Sequence, residues 1–210
     1  MKFENTSVYN IYNAILGARN PMNSWDKSDS VFNGYNGKIE NIEIGENDLR
    51  LMRSLIKAGS EHRKFLRQIF VSVNIIAPTY FMAELDTYKI GVTRDSSSFQ
   101  HKGTSKPFEL SDFEIDGEPD QYWNYVIEDL NDLRNKYLET KDYNYFRKIR
   151  QKLPMSYLYM STITMTYENI FNMYNQRCRH PHKLREWSVA FKEWVESLPY
   201  FKEFFLENNV

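Results

Sequence analysis

"IFVSVNIIAPTYFMAELDTYKIGVTRDSSSFQHK", residues 69–102, decides the fold. Phe70, Val71, Val73, Ile75 and Ile76 are β-branched or aromatic, and Pro78 closes the run, so 67–78 reads as a strand. After the proline, TYFMAELDTYK reads as one short helix with Pro at its N-terminal edge. The chain then turns densely polar over 84–101, with one Gly and no Pro. A solvated loop accounts for this, because Ser is favoured in turns. An anion site is the other reading. Ser96, Ser97 and Ser98 offer hydroxyls and backbone N–H groups, with Lys89, Arg94 and His101 close in sequence.

Working outward, 8–18 has apolar residues at helical spacing and is expected to be a helix. Residues 18–38 hold Pro21, Gly34, Gly37 and several Asn, Ser and Asp, so they read as loop or turns. Residues 46–67 carry a stripe of Leu49, Leu51, Met52, Leu55 and Ile56, broken at Gly59, and read as helix. Residues 103–120 read as a connection, with Ser111 to Glu114 matching a capping box. Helices are expected at 121–139 and 142–151, the second stopped by Leu153-Pro154. Residues 155–177 are apolar on every side, which predicts a buried helix. A last amphipathic helix or two fills 183–207, punctuated at Pro199.

The 210 residues suit a single α+β domain, with 103–145 as a variable helical insertion. A net charge of -1 provides no general field for nucleic acid. Cys178 is the single cysteine, which excludes an internal disulfide and a Cys-rich zinc site and suits a cytoplasmic protein. No apolar run approaches the ~20 residues needed to cross a bilayer, and the first residues lack the apolar core of a signal peptide. Fifteen Tyr and 14 Phe suit packed helices and large subunit interfaces.

Three further clusters bear on function. Arg150 stands before Leu153-Pro154, and Arg177 ends the expected buried helix. Arginine there serves the last helix carbonyls, or makes planar bidentate contact with phosphate or a base edge. SEHRKFLRQ, 60–68, crowds His62, Arg63, Lys64 and Arg67 at one helix end, as a solvated basic face or a pyrophosphate contact. RCRHPHK, 177–183, reads as a basic rim for an anion rather than a metal site, because it has no HExxH spacing and no third ligand. No GxGxxG or GxxxxGK[ST] loop exists, so a nucleotide has to be held by side chains and helix ends.

Together these parts resemble the flavin-dependent thymidylate synthase (ThyX) family. That family runs an Ala-Arg loop, a helix-end His, a strand, the signature RHRxxSxNExSxRY, then Arg-x-x-Leu-Pro and a long helix ending in Arg. In this chain GARNP, 17–21, stands at the loop, and His62 of SEHRKF at the helix-end His. The signature falls on Thr87, Tyr88, Lys89, Val92, Arg94, Asp95, Ser97, Phe99 and Gln100. Lys89 keeps a charge, Asp95 the acid and Ser97 the second Ser, while the central His is Tyr88 and the Arg-Tyr ending is Phe99-Gln100. His101 or Lys102 stands ready to supply the lost charge. Asp86 to His101 also resembles a divergent branch with the pattern DTYxxGxxxxSxSxxH. RQKLP places Arg150 on the Arg before Leu-Pro, and Arg177 falls on the later Arg. The resemblance spans roughly 14–101 and 148–187.

The resemblance implies a ThyX-like fold with a central antiparallel sheet flanked by long helices, in a homotetramer. It implies transfer of a one-carbon unit from methylenetetrahydrofolate to dUMP, with FAD as cofactor and NADPH reducing it. Arg177 would pair with the pyrimidine and activate it. Glu84, Asp95, Ser96, Ser97, Ser98 and Arg150 would hold the nucleotide, and His62, Lys64, Tyr88, Lys89, Thr166 and Asn172 the flavin. A diverged nucleotide-binding or structural oligomer of the same fold, or a flavoenzyme making another pyrimidine modification, are the other readings. One straight helix over 155–177 would hold Arg150 and Arg177 about 35 Å apart, so only a symmetric oligomer would bring both to one base.

Overall fold

Period-two burial governs residues 158–166. Ser161, Ile163 and Met165 are buried while Met160, Thr162 and Thr164 are exposed, and Thr and Ile favour extended backbone. This stretch is therefore a strand, not the middle of a buried helix. Its apolar residues lie on every side of a helical wheel only because the wheel is the wrong template.

The computed structural model describes residues 1–35, 38–178 and 184–206. In chain order the elements are β1 (Lys2–Tyr9), α1 (Ile11–Ala18), β2 (Val31–Tyr35), β3 (Lys38–Glu43), α2 (Glu46–Ala58), β4 (Phe70–Pro78), α3 (Thr79–Leu85) and β5 (Thr93–Ser96). There follow α4 (Phe99–Lys102), α5 (Gln121–Thr140), α6 (Tyr143–Lys152), β6 (Leu158–Thr166), α7 (Tyr167–Met173), a π turn over Tyr174–Cys178, another over Glu186–Phe191, α8 (Lys192–Glu196) and α9 (Phe201–Phe205). One sheet has the strand order β1-β4-β6-β5. Tyr167 N–H donates to the Ile69 carbonyl at 3.0 Å and Thr79 N–H to the Tyr157 carbonyl at 3.1 Å, so β4 and β6 run antiparallel. The Ser97 N–H donates to the Met160 carbonyl at 2.9 Å, beside β5. β2 and β3 form a separate antiparallel hairpin with Val31 opposite Glu43. The α+β class with an antiparallel sheet is as the sequence indicates.

Four local expectations are corrected. The helix expected from residue 8 begins at Ile11, because Asn10 takes a left-handed φ of 71° that ends β1. The loop expected over 18–38 gives way to the hairpin from Val31. The capping box joins Glu109 to Asp112 rather than Ser111 to Glu114. The helix expected to 67 ends at Ala58, where Gly59 takes φ 108°, and resumes only as a 3₁₀ turn over Lys64–Arg67. With β6 a strand, the straight-helix separation of Arg150 and Arg177 loses its premise, and so does the oligomer argument built on it.

The chain divides into two compact units. The first comprises Met1–Glu4, Asn74–Lys89 and Arg94–Ile163, and so contains all of 103–145. Its α5 and α6 start at Asp120 and Asp142, whose carboxylates accept the N–H groups of Tyr122 and Asn144. Together with 99–115 they enclose a core of Phe99, Phe108, Phe113, Val126, Leu130, Leu133, Phe146 and Ile149. Tyr157 sits among these rings at 5.6 Å from both Phe99 and Phe113, and burial pushes its phenol up to about 12.

The second unit comprises Asn5–Val73, Ile90–Thr93 and Thr164–Val210. Its rings pack closely, with Trp187 at 4.9 Å from Phe191, Tyr174 at 5.3 Å from Phe201 and Phe65 at 5.9 Å from Phe204. One polar knot stands among them. Arg19 Nε donates to Asp48 Oδ1 at 2.6 Å, and the two residues are 4% and 0% exposed. Ser28 and Ser30 hydroxyls donate to Asp48 Oδ2 at 2.7 and 2.6 Å. Asp29 accepts the N–H groups of Asn47 and Asp48 at 2.9 and 3.2 Å, which caps α2 from outside the helix. The loop after α1 is thereby fastened to the first turn of α2.

Burial pushes the Asp48 carboxyl up, but hydrogen bonds from Ser30, Ser28 and Arg19, with the Arg19 charge, hold it below the ordinary value. A carboxyl with a depressed folded-state pKa stabilises the fold above its unfolded value of about 4, and that contribution is lost as pH falls further. Asp48→Ala leaves Arg19 buried without its anion and should lower stability by about 3–5 kcal/mol in urea unfolding at neutral pH. The loss should shrink as pH drops below about 4. A variant as stable as the parent would show that the pair does not hold the loop.

Candidate functional site

Two concave sites lie within single units and gather residues singled out from the sequence. In the second unit, the loop after α1 and the chain after Gly59 face each other across α2. They enclose a groove of about 440 Å³ lined by Gly17, Ala18, Pro21, Met22, Leu51, Leu55, Glu61, His62, Lys64, Phe65 and Gln68. Leu51 and Leu55 are four apart and share one helix face, so they form an apolar floor. His62, Lys64 and Glu61 give a polar rim and are exposed. GARNP and SEHRKF, distant in sequence, thus meet at one groove.

Arg63, between His62 and Lys64 in sequence, is held firmly. Its Nε lies 3.1 and 3.0 Å from the two Glu168 carboxylate oxygens, Nη2 donates to Asn172 Oδ1 at 3.3 Å, and the guanidinium stands 4.8 Å from the Phe171 ring centre. Asn172, a sequence candidate, is therefore oriented by Arg63. Thr166 has a structural task as N-cap of α7, accepting the Asn169 N–H at 3.3 Å while Asn169 Oδ1 accepts the Thr166 hydroxyl at 2.6 Å. Asn169 also donates to the Ile90 carbonyl at 2.8 Å, pinning the turn at Gly91. Arg177 lies on the π turn, half-buried, 5.8 Å from the Trp187 ring centre.

In the first unit, a cleft of about 260 Å³ is lined by Thr79, Met82, Ala83, Asp86, Arg94, Ser96, Tyr159 and Ser161. The Ser161 hydroxyl donates to Ser96 Oγ at 3.1 Å, and Arg94 pairs with Asp86 at 3.0 Å. That pair is partly exposed and adds under about 1 kcal/mol to stability. Burial raises the Tyr159 phenol, an effect the charge of Arg150 opposes, so Arg150 lies within electrostatic reach of the cleft. Arg150 also stands 5.9 Å from the Phe99 ring centre. Ser96, Ser97, Ser98 and Asp95 are exposed. Glu84 and Tyr88 are half-buried on α3 and the 3₁₀ turn after it, and Lys89 is exposed.

The candidates therefore divide. Glu84, Tyr88, Lys89, Asp95, Ser96, Ser97, Ser98 and Arg150 belong to the first unit, and His62, Lys64, Thr166, Asn172 and Arg177 to the second. Residues 179–183 of RCRHPHK lie outside the described residues. Among the described residues, no group of three His, Cys, Asp or Glu is placed to hold a metal, and no helix is long and apolar enough to cross a membrane. Sequence reasoning misses Asp86, Tyr159 and Ser161 as site residues. The alternation of 158–166 is the signal for the last two, because a strand puts 159 and 161 on one face.

No family model matches the sequence, and no curated protein matches it significantly. Solved structures do match in fold. Thymidylate synthase X (ThyX) from Helicobacter pylori, with FAD and dUMP, is similar at TM-score 0.72 and 15% identity over 99% of this chain and 98% of that one. A second structure of that enzyme, complexed with FAD and dUMP, gives the same figures. The UMP/dUMP methylase PolB from Streptomyces cacaoi, bound with 5-Br dUMP, is similar at 0.61 and 14% over 97% and 93%. The chain has the fold of the flavin-dependent thymidylate synthases, strongly diverged in sequence.

Phe99, which the resemblance sets against the Arg of the signature's Arg-Tyr ending, is 7% exposed and packs on Phe108, Phe146 and Tyr157. A Cβ at Gly103 would fall 2.6 Å from the Phe99 carbonyl and 2.7 Å from its ring. Phe99→Arg, which restores the signature residue type, should therefore destabilise the protein by several kcal/mol by burying a charge. A variant that melts with the parent would show that position 99 is free to face a ligand.

Proposed function

We propose that this chain is a flavoprotein that transfers a one-carbon unit to the pyrimidine ring of dUMP, using FAD, methylenetetrahydrofolate and NADPH. The observation that carries the reading is the extent of the fold similarity: it covers 99% of the chain against a synthase solved with FAD and dUMP. The groove of the second unit fits part of FAD in its chemistry. Leu51, Leu55 and Phe65 offer an apolar floor to a flat ring, Lys64 offers charge to a diphosphate and His62 a ring N–H. Asn172, set by Arg63, offers a carbonyl and an amide to a ring edge. A bound flavin supplies the hydride that completes the new methyl group. Thr166, Tyr88 and Lys89 complete the cofactor set of this reading.

The chain's own residues bind and polarise the substrate. Arg177 donates to the uracil carbonyl and stabilises negative charge as the ring is activated. Arg150 and the hydroxyls of Ser96, Ser97 and Ser98 hold the phosphate, with Glu84 and Asp95 ordering the donors around it. No cysteine nucleophile is needed, in keeping with a chain whose single Cys178 is buried. A cytoplasmic homotetramer with sites shared between copies belongs to the same reading.

A second reading is favoured by one observation. Phe99 has become core where the signature has a cation, so a nucleotide-binding oligomer of this fold that has lost the chemistry is the competing function. Absorbance and calorimetry separate the two. Under the first reading, purified protein is yellow or reconstitutes with FAD, binds dUMP more tightly with FAD present, and loses dUMP binding in Arg177→Ala. A colourless protein that takes no FAD but binds dUMP supports the second. Unchanged dUMP affinity in Arg177→Ala would contradict the role of that arginine.

A further inference from the structure

The cleft of the first unit stands open where a helix lying on a sheet is ordinarily closed by apolar side chains. Three periodicities converge on it. Thr79, Met82, Ala83 and Asp86, at spacings of three and four, form one face of α3 and the turn after it. Arg94 and Ser96 share a face of β5, and Tyr159 and Ser161 share a face of β6. On that same face of β6, Ile163 is wholly buried core, so the strand changes from apolar to polar as it enters the cleft. Ala83, Ser96 and Ser161 are too short to fill the gap, and about 260 Å³ is left. Sites that enclose a whole small molecule measure about 300–1,000 Å³, so this one suits a single ring of a larger ligand.

The polar groups are set to receive a neutral ring. Asp86 and Arg94 cancel each other's charge, so the lining has no net charge and does not select phosphate. The Asp86 side chain is 53% exposed, and its carboxylate keeps acceptor capacity toward the cleft. Ser96 Oγ accepts from Ser161 and keeps its own O–H to donate. The Tyr159 phenol makes no hydrogen bond among the described residues, and burial keeps it protonated, as a donor. Met82 and Ala83 offer apolar carbon beside these groups. A sugar ring needs this combination: its hydroxyls donate to a carboxylate and accept from O–H groups, while its C–H face lies on apolar carbon. Groups that the proposed function gives to the phosphate stand close by. Ser97 and Ser98 follow Ser96 in the chain, and Arg150 is within electrostatic reach of Tyr159.

We infer that the cleft holds a ribose whose 2′,3′-diol donates to Asp86, with Ser96 and Tyr159 donating to its hydroxyl oxygens, so that the chain takes a ribonucleotide in preference to its deoxy form. The inference rests on the proposed function for the phosphate at the serines. It narrows the nucleotide of that reading to one that keeps its 2′-hydroxyl.

Calorimetry on the full chain with UMP and dUMP tests this, because the two differ only at the 2′ position. Wild type should bind UMP about tenfold or more tightly than dUMP, the worth of one hydrogen bond to a charged group. Asp86→Ala should bring the two affinities to within about twofold of each other. The Asp86–Arg94 pair is partly exposed and adds little to stability, so the variant should fold. Freeing Arg94 alters both nucleotides alike, so the ratio and not the affinity is the readout. Tyr159→Phe keeps the ring beside Tyr157, removes only the hydroxyl, and should lower the ratio as well. Equal affinities or a preference for dUMP in wild type, no binding of either nucleotide, or a ratio unchanged in both variants would overturn the inference. A base held in the cleft instead would give that last result, since both nucleotides would weaken by one factor. Wild type that takes FAD and prefers dUMP removes this inference alone. A preference for UMP that is lost in Asp86→Ala, in a protein that takes no FAD, keeps the sugar site and removes the flavin chemistry.

Discussion

The buried ion pair between Arg19 and Asp48 is the constraint on which the second unit's groove depends. A charge sealed from water is tolerable only when its partner and its remaining lone pairs are satisfied. That requirement recruits Ser28 and Ser30 to one carboxylate oxygen and Arg19 to the other. Because those donors come from the loop after α1 and the acceptor from α2, satisfying the charge fixes loop to helix. The groove with His62 and Lys64 has that loop as one wall and α2 as the other. A single electrostatic necessity therefore shapes the concave surface beside Leu51.

The first unit is arranged by apolar forces instead. Its rings gather around Tyr157 and Phe99, and the serine segment is carried at the edge of the sheet by the bond from Ser97 to Met160 and by the contact of Ser96 with Ser161. Phe99 anchors the end of that segment in the core, and Arg150 stands over its ring.

Much of this is legible in the sequence. The strand before Pro78 and the helix after it are readable because β-branched residues and a proline act locally. α5 and α6 are readable from charge-flanked apolar stripes. Residues 155–177 are not: Tyr, Met, Ile and Thr in close succession fit a helix buried on all sides, and only alternation of burial, a tertiary property, selects the strand. The Arg19–Asp48 pair is invisible for a related reason, since 29 positions separate the partners and neither has a local reason to be buried. The candidate residues come from resemblance rather than from periodicity, and the structure adds that they fall into two sets, one per unit. Arg63 stands in a basic run plain in the sequence, but its clasp of Glu168 and Asn172 is a property of the folded chain.

The claim that this clamp builds the groove proposed for the flavin is tested most directly by amide hydrogen exchange with and without FAD, on wild type and Asp48→Asn. FAD should slow exchange in wild type at residues 17–27, in α2 around Leu51 to Leu55 and at 61–68, and the effect should vanish in the variant while α5 and α6 keep their protection. FAD protection confined to other segments, or undiminished in Asp48→Asn, would contradict the account.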